Sequence, residues 1–449
     1  MTLLIQNGRV WQDGEFRDTN ILIRDGLIVA VGTSEHAYDA KVIDARNQTV
    51  LPGFIDIHTH IDDRIGQYTL ADDCASGTEC AVQNGITTLG TFVTESADLP
   101  LGAAFAAMTG RAHDRTYCHL LCHITPVRYD EDGWRGIEEV LSRGVRTVKL
   151  YTTYRQAGLY ADYDQIERVF SALHHRSVRF LVHCEDDMLL ARAADEIGEW
   201  GAPIAHAHAR PAGAEVAAIR AVLERAATQE TPVHIVHVST PEGADLITDA
   251  KRESDVTCET APHYLMLDSR RLEGRDGHRW VCSPPLRSLA VREELARRAL
   301  EGAFDLFATD HCAFRKSDKD AGRADCRTVP GGIAGIGALP HLIYNLFAEA
   351  GKDGLSALAR HLSENPARVV GLYPQKGSLT VGSDADVVIV SAVGPRQPVR
   401  SSLADTYEPY EGFESSLCVH HVVLQGEPVV ENGHLLDINH PRGRCLWQT

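Results

Sequence analysis

The sequence predicts an α/β fold, a (β/α)8 TIM-type barrel carrying a small β-sandwich built from the N- and C-terminal segments. Three observations carry this expectation. The middle of the chain alternates short apolar runs with helix-like stretches, the pattern of parallel strands covered by helices. Eight such runs occur, the number that closes a barrel: FIDIHTH (54–60), TLGTFV (88–93), CHLLCHI (118–124), TVKLYT (147–152), RFLVHC (179–184), VHIVHVS (233–239), DVTCETAP (255–262) and DLFATD (305–310). Both ends of the chain instead read as short strands with tight turns.

Helical patterns such as AGAEVAAIRAVLERAA and VREELARRALEG fall between the runs. At the N-terminus, LLIQNGRVWQDGEF, NILIRDGLIVAVG and KVIDARNQTVLPG carry Asn7-Gly8, Asp13-Gly14 and Asp25-Gly26, residue pairs that supply the positive φ of hairpin turns. The C-terminal GSLTVGSDADVVIVS and VHHVVLQGEPVVENGHL repeat this grammar. Neither end alone has enough strands to bury a face, so residues 1–50 and 375–449 are expected to form one composite β-sandwich domain, with 51–374 as the barrel.

A chain of 449 residues with 44% hydrophobic and 24% charged residues can bury a large core and is not disordered. Its net charge of −18 repels phosphate backbones and anionic lipid, which argues against nucleic acid and membrane as partners. No apolar run approaches the roughly 20 residues of a spanning helix, and the N-terminus lacks the pattern of a signal peptide, so a cytoplasmic location is expected. Eleven cysteines are expected as reduced, mostly buried thiols. The cluster Cys118-His119-Leu-Leu-Cys122-His123 has metal-binding residue types, but strand alternation sends its histidines to one face and its cysteines to the other, which favours a packed strand.

Residues able to bind metal recur at the C-terminal ends of the central runs: His58 and His60, Lys149, His183, His237 and Asp310. In a barrel these ends open onto one mouth. A single histidine there is more often a satisfied core residue, but six suitable residues at one mouth are harder to dismiss. His58 and His60, two apart on a strand, share a face and can grip one ion. Lys149 has two readings. Either it is salt-bridged to a nearby carboxylate, or it is a neutral amine that has reacted with carbon dioxide to form a carbamate, an anionic bridge between two metals.

Taken in order, VLPGFIDIHTHID, ADDCASGTECAVQNGITT, VKLYTTY, VHCED, VHVST, ETAPHYL, VCSPPLR, ATDHCAF, VPGGIAGIG, ENPARVVGLYPQKGSL and GSDADVVIV resemble the amidohydrolase superfamily, and within it the cyclic amidases, hydantoinase and dihydropyrimidinase. The resemblance implies His58, His60, Lys149 and Asp310 as ligands of a more buried metal, and Lys149, His183 and His237 as ligands of a more exposed one. It also implies that Asp310 takes a proton from the attacking water and returns it to the leaving nitrogen, that Tyr154 holds the oxyanion, and that Ser283 and Gly331 bind the ring edge of the substrate. Many relatives carry asparagine at the place of Gly331; main-chain contact would survive that change. Tyr151 and residues 65–69 match loops that face the ring substituent.

The expected activity is hydrolysis of hydantoins or 5,6-dihydropyrimidines to N-carbamoyl amino acids. Its cofactors are two divalent ions, zinc favoured and manganese or cobalt possible, with N-carboxylated Lys149. The resemblance also implies a homotetramer or dimer. Allantoinase and dihydroorotase chemistry are the alternatives. Relatives of the dihydroorotase kind place an arginine two residues after the His-x-His pair, where this chain has Asp62. Allantoinases lack a tyrosine five residues past the lysine. A non-catalytic scaffold is disfavoured because all six ligand positions are filled.

Overall fold

The computed structural model describes residues 1–32 and 40–446. All eight central runs are strands. Seven lie side by side in parallel: Phe54–His60, Ile86–Thr94, His119–Thr125, Thr147–Tyr151, Arg179–His183, Val233–Ile235 and Val256–Thr260. The eighth run is broken into two pieces. Leu306–Phe307 pairs with the seventh strand, while His311–Cys312 pairs with the first, opposite Thr59 and His60. The chain thereby changes partner and closes the ring. Asp310 occupies the break with φ 47°, a left-handed conformation that side chains rarely adopt.

The strands are buried on both faces, which is why they read as unbroken apolar runs. Outer helices cover them with periodic apolar stripes. In Tyr163–Leu173 the buried residues are Ile166, Val169, Phe170 and Leu173, spaced three and four apart, each worth roughly 1.5–3 kcal/mol of burial. That helix starts where the Asp162 carboxylate accepts from the Gln165 N–H. Ala212–Thr228 and Leu289–Leu300 are the helices the sequence marks between runs.

Both ends of the chain meet in one nine-stranded mixed sheet. The junction is strand Thr49–Pro52, which runs parallel to Thr2–Gln12 on one side and antiparallel to Val387–Ser391 on the other. Alternation divides these strands between two cores. Val10, Val50, Val387 and Ile389 pack within the sheet's own core with Leu3, Ile21 and Val423, whereas Trp11, Leu51, Val388 and Val390 face the barrel core. Asp13-Gly14 and Asp25-Gly26 form the hairpin turns the sequence marks. Asn7-Gly8 does not. Its positive φ, 61° at Asn7, serves a bulge inside Thr2–Gln12, because left-handed backbone is needed equally where a strand gains an extra residue.

After its last strand the chain returns to the barrel. Leu446 N–H donates to Leu120 O at 2.9 Å, and Gly443 N–H to Thr116 O at 2.7 Å. Only glycine fits at 443, since a Cβ there would collide with the Cys118 carbonyl. The Cys118–His123 run is the third strand. His123 is satisfied by Thr147 Oγ1 and Ile57 O, both at 2.7 Å, and no metal-binding group includes the run among the described residues. No helix is long and apolar enough to cross a membrane among the described residues.

Candidate metal centre and active site

His58 and His60 project from one face of the first barrel strand, and both Nε2 atoms point at the Oδ1 of Asp310, at 3.3 and 3.4 Å. These three form a group able to hold a metal ion. The tautomer of His58 follows from its partner: Nδ1 meets the carboxylate of Glu259 on the seventh strand, so Nδ1 carries the proton. Nε2 is then a bare lone pair, buried and without a hydrogen-bond partner. A lone pair facing a carboxylate oxygen is two acceptors in opposition. A cation between them turns this repulsion into coordination, so the donor set fits a divalent ion. Burial lowers the pKa of His58 to about 4, helped by Lys149 nearby. Burial opposes ionisation of Asp310, but His58 and His60 outweigh it and hold the carboxyl at about 2. The ring is therefore neutral and the carboxyl ionised, the forms that bind metal.

The break at Asp310 is fastened from behind. Asp56 accepts from Thr309 Oγ1 at 2.6 Å and from the Thr309 and His58 N–H groups at 3.2 Å each. One buried carboxylate thus ties the strand bearing His58 to the residue preceding Asp310.

A second set lies alongside. His183 Nε2 donates to Glu185 Oε2 at 2.8 Å, leaving Nδ1 as a lone pair 2.9 Å from His237 Nε2. Arg210 secures Glu185 in turn, with Nε 3.1 Å from Oε1. Burial lowers the pKa of both histidines. His237 also has a left-handed backbone, φ 40°. Its ring centroid is 5.3 Å from that of His58, so the two sets adjoin.

Lys149 lies near both. It is 1% exposed, with Nζ 4.8 Å from the Phe92 ring centroid and 5.1 Å from that of Tyr151, and its charge acts on His58, His183 and His237 alike. Burial lowers its pKa to about 8 against the pull of Asp310 and Glu259. Among the described residues no carboxylate forms an ion pair with it, which removes the salt-bridge reading of this lysine.

Tyr154 follows the fourth strand with φ 66°, its ring centroid 5.0 Å from that of His183 and 5.3 Å from the Arg210 guanidinium. Burial pushes its phenol pKa up, and Ser283 lies close enough to temper that rise. Ser283 Oγ is 3.3 Å from His206 Nε2. A Cβ on Gly331 would lie 3.5 Å from Ser283 Oγ, an ordinary contact, so Gly331 adjoins Ser283 and glycine is not sterically required there. Tyr154, Ser283 and Gly331 thus form one edge of the mouth.

Sequence reasoning passed over Glu259, Glu185 and Arg210, which hold the histidines from outside. The available signal was a carboxylate on an inward position of an apolar strand, ETAP, and another two residues past His183, HCED. Glu259→Gln should weaken metal binding by about 10–100-fold with circular dichroism unchanged, because His58 loses the anion that fixes its tautomer. Competition against a chromophoric chelator measures this; unaltered affinity would make Glu259 a packing residue.

The model of the amidohydrolase family matches residues 49–429. A D-phenylhydantoinase of Escherichia coli O1:K1 is 31% identical over 452 residues, covering 96% of this chain and 95% of that one. Dihydropyrimidinase from Brevibacillus agri superimposes with a TM-score of 0.94 at 28% identity over 100% of this chain and 99% of its own. L-hydantoinase from Arthrobacter aurescens gives 0.87 at 26%, over 99% of each chain.

Proposed function

The chain belongs to the amidohydrolase family, and from that premise we propose that it opens the ring of hydantoins or 5,6-dihydropyrimidines, giving N-carbamoyl amino acids. The observation that carries this reading is the opposed pair of acceptors, His58 Nε2 and Asp310 Oδ1, beside a second pair of converging imidazoles. His58, His60 and Asp310 would hold one divalent ion and His183 and His237 a second, with carboxylated Lys149 reaching both. Bound there, the ions, for which imidazole and oxygen ligands favour zinc over manganese or cobalt, would polarise the ring carbonyl and make water nucleophilic near neutral pH.

The side chains supply the remaining steps. Asp310, ionised, accepts a proton as the water oxygen bonds to the ring carbonyl carbon, and returns it to the ring nitrogen as the C–N bond breaks. Tyr154, kept protonated by burial, donates to the oxygen that gains negative charge. The main chain at Ser283 and Gly331 offers hydrogen bonds to the ureide edge. We also propose that 1–50 and 375–449 act as one composite domain beside the barrel 51–374, supported by their shared sheet and its own core.

Asp62 sets the charge preference. Its carboxylate accepts from Arg111 Nε at 3.2 Å and Cys74 Sγ at 3.1 Å, so Arg111 is already neutralised, and the position two residues after His60 carries an anion in place of the cation that would receive a substrate carboxylate. Assay of one purified sample against hydantoin, dihydrouracil, allantoin and dihydroorotate should show ring opening of the first two and negligible turnover of dihydroorotate. If dihydroorotate were the best of the four, the assignment would be wrong.

A further inference from the structure

His206, in the short helix Ile204–His208, borders the edge formed by Tyr154, Ser283 and Gly331. Its Nε2 is 2.9 Å from Cys282 O and 3.3 Å from Ser283 Oγ. Burial, joined by the charge of Arg210, lowers its pKa to about 4, so the ring is neutral at pH 7 and carries a single N–H. A carbonyl can only accept, so that hydrogen stands on Nε2 and Cys282 O receives it.

Other elements hold the neighbouring carbonyls in the same way. Val281 O accepts from the buried ammonium of Lys319 at 2.7 Å and from Gly332 N–H at 2.9 Å. Pro284 O accepts from the Tyr264 hydroxyl at 2.8 Å. The acceptors of residues 281, 282 and 284 are thus all engaged. Among the described residues, however, the Ser283 N–H donates to no protein acceptor. Cys282 O and Ser283 N–H belong to one trans peptide, whose two polar groups point in opposite directions. The imidazole that fixes the carbonyl therefore also fixes the direction of the N–H, away from His206. A hydrogen-bonded carbonyl further polarises its peptide, which strengthens the N–H as a donor.

We propose that His206 is a positioning residue for substrate: by holding Cys282 O it aims the Ser283 N–H at the carbonyl of the ureide edge. This rests on the cyclic-amide reading above. The ureide carbonyl is not the one attacked, so the contact is already made in the ground state and its loss is read mainly in KM. Hydantoin and dihydrouracil share this ureide, so both are affected alike.

The test compares His206→Phe, which keeps a planar ring without the donor, with His206→Gln, whose amide nitrogen stands as many bonds from Cα as imidazole Nε2. The segment stays anchored in both variants, because Arg210 Nε donates to Glu185 Oε1 at 3.1 Å and Arg210 O accepts from Arg287 Nη1 at 2.5 Å. In His206→Phe, KM for hydantoin and for dihydrouracil should each rise about 5–10-fold, the scale of one lost neutral hydrogen bond, with kcat and metal content near native. His206→Gln should recover most of that rise. An unchanged KM in His206→Phe, equal impairment of the two variants, or a loss confined to kcat overturns the inference. Should His206→Phe fail to fold, His206→Asn takes its place, its amide a bond too short to reach Cys282 O. If the native enzyme opens neither ring, the proposed function fails separately. The crystal structure of the variant then decides: a turned 282–283 peptide supports the positioning role, and an unmoved one overturns it.

Discussion

Replacing Lys149 with alanine is expected to abolish ring opening and to remove much of the bound metal. No permanent anion stands at this position, yet the two divalent ions proposed for the histidine sets would need one that reaches both. Aspartate or glutamate at 149 would fall short of the lysine's length. The amine can supply the anion by reaction with carbon dioxide: nitrogen bonds to carbon, a proton leaves to solvent, and the carbamate carries the negative charge. Burial favours this, because a pKa lowered to about 8 leaves roughly a tenth of the amine neutral and nucleophilic at pH 7. Metal analysis should show Lys149→Ala depleted, and intact mass should lack the added carbon dioxide. Acetate or propionate, occupying the vacated site, should partly restore activity. Lys149→Arg should fail as well, since guanidinium stays charged and cannot form a carbamate. Density for a free amine at Lys149 in fully active, metal-loaded crystals grown with bicarbonate would sink the idea.

What was legible in the sequence follows from what one strand's periodicity encodes. His58 and His60 share a face because they are two apart, and both indeed point at Asp310. The alternation of Cys118–His123 likewise marked it as a packed strand. The break in the eighth run was not legible. Leu306–Phe307 and His311–Cys312 differ only in which neighbour they pair with, and pairing is a property of the closed ring. Glu259 and Glu185 were missed for a related reason. Each acts through a histidine, and for Glu259 that histidine lies 201 residues away, beyond any spacing rule. Asn7-Gly8 was legible as positive φ but ambiguous in use, since a bulge and a turn need the same backbone.

Tyr154→Phe should lower turnover by a factor of about 100–1,000, which is roughly 2.7–4 kcal/mol of transition-state stabilisation, while metal content stays intact. The backbone here is left-handed at φ 66°, a conformation that costs a non-glycine residue on the order of 1–3 kcal/mol and persists only where the surroundings enforce it. That geometry places the ring beside His183 and Arg210. Phenylalanine preserves the ring contacts, so the variant isolates the hydroxyl. Because burial raises the phenol pKa, the hydroxyl remains a donor throughout the neutral range, and the deficit should be the same at pH 7 and pH 9. A loss in kcat with little change in KM would place the interaction in the transition state, where oxyanion charge develops. Turnover equal to that of the native enzyme would instead assign Tyr154 a packing role, an aromatic lid on His183.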